Sequence, residues 1–104
     1  MKARKLHLPH PGAILRVEFF EPLQLTAYRV AKELAIPTPR LNDILLEKRG
    51  ISAEMGVLLA LYFGTSSDFF VNLQCDYDRR IAERKLGGKL RQLRTLKSYG
   101  SRRA

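Results

Sequence analysis

The sequence predicts an all-α domain of five helices. Two observations carry most of that prediction. Apolar residues recur at helical spacing in segment after segment, and Pro, Gly, Ser or Thr stands at the junctions between them. A third is more specific: Thr26 to Arg49, TAYRVAKELAIPTPRLNDILLEKR, reads as two short helices meeting at a tight corner.

His10-Pro11-Gly12 opens the first helix, and Pro11 suits its first turn because no N–H is needed there. Ile14, Leu15, Phe19 and Phe20 form the expected buried face, and Pro22 ends the helix near Glu21. Thr26 caps the second helix, whose stripe is Val30, Ala31 and Leu34. Pro37 disfavours helical geometry at Ile36, and Pro39 is tolerated only in the first turn of a new helix. The break is therefore short, with Ile36 placed to pin the corner to the core. The third helix carries Leu41, Ile44 and Leu45 on one stripe, with Thr38, Arg40, Asn42 and Asp43 off it. That polar edge suits a recognition helix, whose N-terminal residues meet base edges in the major groove. Ordinary solvated residues would look the same.

Lys48-Arg49-Gly50 is expected to close this helix, with Gly50 supplying a left-handed exit. Lys48 and Arg49 there complement the helix dipole and stand where phosphates could lie. Ser52 caps a fourth helix with Val57, Leu58, Leu61 and Tyr62 as its apolar face, ended by Gly64. A fifth starts at Asp68 and runs to about residue 85. Its Phe69, Phe70, Leu73 and Tyr77 admit two readings: a homodimer seam, or a wide stripe facing the chain's own core. Gly87-Gly88 is expected to break it. Beyond lies an amphipathic basic segment, with Leu86, Leu90, Leu93 and Leu96 among Lys89, Arg91, Arg94 and Lys97. The organisation expected is a domain over 10–85 and a basic tail over 86–104.

With 104 residues and 45% apolar composition, the chain suffices for one compact core. No apolar run approaches the ~18 residues of a membrane span, and MKARKLHLPHPG lacks the apolar region of a signal peptide. The single cysteine, Cys75, cannot form an internal disulfide, which fits a reducing cytoplasm, and it reads as a packing residue. The net charge of +9 lies wholly in residues 79–104, where Glu83 is the one acidic group. Such an end attracts nucleic acid, an acidic protein or an anionic membrane. His7 and His10 lack partners at metal-ligand spacing. No catalytic carboxylate pair, nucleophile–base set or phosphate-binding Gly-rich loop can be picked out, so neither an enzyme nor a cofactor is expected.

HPGAILRVEFFEPL, TAYRVAKELAIPTPRLNDILLEKRGIS and ALYFGTSSDFFVNLQCDYD resemble the HigA-type antitoxins within the Cro/CI-like (XRE) helix-turn-helix regulators. The match spans about His10 to Asp78, and FGTS with the aromatic pair and NLQ is its most specific part. The resemblance implies a five-helix DNA-binding domain, a homodimer, operator DNA as one partner and a HigB-type mRNA-endonuclease toxin as another. It places Thr38, Arg40, Asn42 and Asp43 on the recognition face and matches Lys48 and Arg49 to the family's basic pair. Thr26 and Arg29, at the start of the motif's first helix, complete the expected DNA-binding set. Three positions depart from the pattern: Ala27 for a phosphate-contacting Gln, Ala35 for the turn Gly, and Glu47 for the Gly before the basic pair. The expected function is an autorepressing antitoxin. The alternatives are a free-standing regulator without a toxin and, from another class, a basic RNA- or ribosome-associated adaptor working through residues 79–104.

Overall fold

The computed structural model describes residues 8–96, which form five helices and, among the described residues, no strand. Helix α1 is an α-helical turn over Pro11–Ile14 that continues as π-helix over Leu15–Phe20. Then come α2 (Ala27–Leu34), α3 (Thr38–Leu45), α4 (Ala53–Phe63) and α5 (Phe69–Gln92). His10 caps α1 by accepting from the Gly12 N–H at 2.9 Å through Nδ1, which gives this histidine a structural task. The π-helical bond from Glu21 N–H to the Arg16 carbonyl, 2.9 Å, closes the helix just before Pro22.

The core gathers one stripe from each helix: Leu15 and Phe20, Val30 and Ala31, Leu41 and Ile44, Met55 and Leu59, and Phe70. Ile36 packs against this cluster from the corner. Aromatic rings fill the end where α1, α4 and α5 meet: Phe19 lies 5.0 Å from Phe63 and 5.1 Å from Phe70. Gly12 fixes how closely α1 approaches α3. A Cβ built on it would stand 1.8 Å from the Ile44 carbonyl oxygen, so no side chain fits there.

Four expectations change. The buried face of α4 is Met55, Gly56, Leu59 and Ala60, whereas Val57 is 50% and Leu61 81% exposed. The helix is apolar nearly all round, so periodicity alone could not orient it. Helix α3 ends at Leu45, and its left-handed exit residue is Glu47, φ 65°, not Gly50. Gly50 instead makes room for Gln74, whose Oε1 accepts from the Ile51 N–H at 2.8 Å. Helix α5 runs through Gly87-Gly88 to Gln92. Elongating a formed helix costs far less than nucleating one, and Arg79–Asp76, Arg79–Glu83 and Arg80–Asp76 pairs brace the preceding turns. Finally, Cys75 is exposed rather than packed.

Gly12→Ala should lower stability by about 1–3 kcal/mol, since the added methyl must push α1 off the end of α3. Urea denaturation reads this, and an unchanged midpoint would show that the two helices are not in contact.

Candidate nucleic-acid interface

The Thr26 hydroxyl accepts from the Arg29 N–H at 3.1 Å and so caps α2. Ala35 ends that helix in the left-handed region, φ 58° and ψ 45°, with its N–H bonded to the Ala31 and Lys32 carbonyls. Pro37 is extended, ψ 133°, and Pro39 falls in the first turn of α3, so the proline-set corner forms as expected. Leu41, Ile44 and Leu45 are buried beneath α3. That orients the remaining side chains: Asn42 is exposed, while Thr38, Arg40 and Asp43 are half-buried at the rim. Arg40 Nη2 lies 3.4 Å from Ser52 Oγ, which links the start of α3 to the cap of α4. Ser52 also accepts from the Met55 N–H at 3.2 Å.

The cations form a second tier. Arg29 is exposed and pairs with Glu33, Nε to Oε2 3.5 Å. Lys48 and Arg49 are exposed on the loop after α3, and the Ile51–Gln74 bond anchors that loop to α5. Tyr28, 63% exposed with Lys32 Nζ 5.8 Å above its ring, belongs to the same edge of α2 and was missed from sequence. An aromatic–cation pair leaves no mark in hydropathy.

Glu33 also ties α2 to α4, because the Tyr62 hydroxyl donates to its carboxylate. That bond, helped by the Arg29 charge, holds Glu33 below the usual carboxylate range, and the same bond pushes the Tyr62 phenol up. No cluster of metal-ligating side chains occurs among the described residues.

The four residues expected at a dimer seam differ in how much surface they expose. Phe70 is fully buried in its own chain's core, which leaves it no surface for a second copy. Leu73 packs against the same core, and Tyr77 stands edge-on to His10 at 5.2 Å. Phe69 is partly exposed, with its ring against Phe70 at 4.9 Å. Phe70 thus follows the core-facing reading, whereas Phe69, Leu73 and Tyr77 keep part of their surface. An exposed apolar face sits on α4, where Ala53, Val57 and Leu58 line an open groove beside Glu54.

No family model matches the chain. Its relatives are nonetheless informative. The chain is similar to virulence-associated protein I of Dichelobacter nodosus, 42% identical over 71% of this chain and 68% of that protein. It superposes on a Pseudomonas aeruginosa antitoxin HigA solved with the higBA promoter, with TM-score 0.80 and 37% identity over 86% of this chain and 99% of the other. A Coxiella burnetii addiction-module antidote protein of the HigA family gives TM-score 0.75 and 41% identity, over 84% and 95%.

The chain belongs to the HigA-type antitoxins. As a HigA-type protein it has the Cro/CI-like helix-turn-helix fold and is a member of a family of regulators rather than enzymes. No helix among its described residues is long and apolar enough to cross a membrane.

Two outcomes test this geometry without DNA. Ala35→Gly should stabilise the chain by about 1 kcal/mol, because only glycine adopts the left-handed corner freely; a fall in melting temperature would contradict the corner. The Glu33–Tyr62 bond has two pH limits. Glu33, with its lowered pKa, contributes stability above the ordinary carboxylate value that is lost as pH falls through the lowered one. Tyr62, with its raised pKa, contributes below the ordinary phenol value and loses that as pH rises. The stability difference between wild type and Tyr62→Phe should therefore be largest near neutrality and shrink below pH ~4 and above pH ~10. A pH-independent difference would show that the bond does not form.

Proposed function

We propose that the protein is a cytoplasmic antitoxin that represses its own operon as a dimer on operator DNA and neutralises a HigB-type toxin. The observation that carries the DNA reading is the outward edge of α3 in a chain that superposes on nearly all of a HigA solved with its promoter. Arg40 is the base reader, since a guanidinium bonds guanine O6 and N7 together, and Asn42 pairs with adenine. Thr38 and Asp43 flank them. Thr26, Arg29, Lys48 and Arg49 meet phosphates on either side. Residues 10–85 make up the DNA-binding domain, and residues 86–104 add a basic tail.

The second copy docks on the outer face of α4, through Val57, Leu58 and Leu61. That face begins at Ser52, whose Oγ lies 3.4 Å from Arg40 Nη2, so a copy docked there stands beside the start of α3. Such a pair reads half-sites about one DNA turn apart, ~34 Å.

Arg40→Ala should weaken operator binding by ~1–3 kcal/mol and relax discrimination at one base pair. Equal shifts of operator and scrambled duplexes by wild type and variant would remove Arg40 from base reading. Lys48→Gln and Arg49→Gln should weaken all sequences alike, each flattening the salt slope by ~1. Leu61→Lys should give a monomer in sedimentation at unchanged helical content; a variant that stays dimeric would move the seam off α4. Co-expression with a HigB-type toxin should restore growth and yield a two-protein complex. Growth arrest with no complex would leave a regulator without a toxin.

A further inference from the structure

Arg16 stands on α1, away from the expected DNA-binding residues, yet it reaches the far end of α3. Its Nη1 donates to the Leu45 carbonyl, and its Nη2 lies 3.4 Å from Glu47 Oε2. Its Nε is 3.9 Å from Glu21 Oε2. The Leu45 carbonyl is among the last four of α3, which have no partner inside the helix. The chain leaves by a tight exit: the Leu46 N–H bonds the Asn42 carbonyl at 2.9 Å, Glu47 bonds Ile44 at 3.0 Å, and Lys48 bonds Asp43 at 2.8 Å. Within that exit Glu47 is held left-handed, φ 65°, a conformation that disfavours a side chain. A half-exposed ion pair adds little stability by itself, so the value of this contact lies in what it fixes. Gly12 backs onto the Ile44 carbonyl at the same end, so α1 grips the end of α3 at two successive turns.

We propose that Arg16 is a positioning residue for DNA recognition. It clamps the C-terminal end of the recognition helix and holds the Glu47 carboxylate on α1, which fixes the direction of that helix's outward edge. A guanidinium suits this task because its planar fork serves a carbonyl and a carboxylate together, which an ammonium does less well. The reading rests on the assignment of α3 to operator DNA, but one arm of its test does not.

The DNA-free arm is amide hydrogen exchange. In Arg16→Gln, the amides of Leu46, Glu47 and Lys48 should exchange several-fold faster than in wild type, while those of α4 and the first half of α5 keep their rates. Arg16→Lys should fall between. Unchanged exchange at the exit overturns the clamp, and if Arg16→Gln unfolds globally, Arg16→Lys carries the same comparison. The second arm is operator affinity against salt. Arg16→Gln should bind several-fold more weakly with the slope of log K against log salt unchanged, whereas loss of a phosphate contact lowers that slope by about one. A reduced slope makes Arg16 a phosphate ligand and overturns the proposal. In a Glu47→Gln background the Arg16→Gln loss should shrink, and strictly additive losses count against it. Should wild type fail to bind operator DNA, the proposed function falls, and hydrogen exchange still decides the clamp.

Discussion

The burial of Leu41, Ile44 and Leu45 is the interaction on which the rest depends. Helix α3 has eight residues, and a helix this short does not persist alone in water. Its three apolar side chains supply what backbone propensity cannot, by docking on Leu15, Val30 and Met55 in a shared core. Because the docked stripe takes one side of the helix, the side chains left over must face outward. The functional edge is thus a by-product of packing: whatever holds Leu41 and Ile44 in register also aims Asn42.

The corner between α2 and α3 was legible because its signals are local and steric. Proline restricts its own backbone and that of its predecessor wherever it occurs, so Pro37 and Pro39 could be read without knowing the fold. The stripes of α2 and α3 were legible for a similar reason: each helix has one apolar face and one polar face. Helix α4 was not, because AEMGVLLALYF offers apolar residues in nearly every direction, and only the shape of its neighbours decides that Leu59 goes in and Leu61 stays out. Phe69 and Phe70 posed the same problem in miniature. Adjacent positions point about a quarter-turn apart. The core takes Phe70 entirely, and Phe69 closes over it from the rim.

Long-range polar contacts were the least legible class. Arg16 to Leu45, Tyr62 to Glu33 and Gln74 to Ile51 each join groups more than twenty positions apart. No periodicity marks such pairs, since either partner alone looks like a solvated surface residue. Together they tie α1 to the end of α3, α2 to α4, and the loop after α3 to α5. The apolar core sets where the helices lie. These three bonds stand at the ends and loops, where small errors in direction would most displace the outward edge.

The departures from the family pattern make sense in this light. Ala35 and Glu47 stand where glycine is usual, and both occupy the left-handed region. Each conformation costs a non-glycine residue ~1–2 kcal/mol, so something must hold it in place. At Ala35 the hold is on both sides: the bonds of its N–H to Ala31 and Lys32 behind it, and Ile36 packed on the core ahead. At Glu47 it is the backbone bond to Ile44 together with Arg16. The two strained residues bracket α3, and each is restrained by its neighbours rather than by its own preference. A chain built this way depends on its packing to keep the recognition helix aimed, where glycine at the same two positions would have let the backbone settle there unaided.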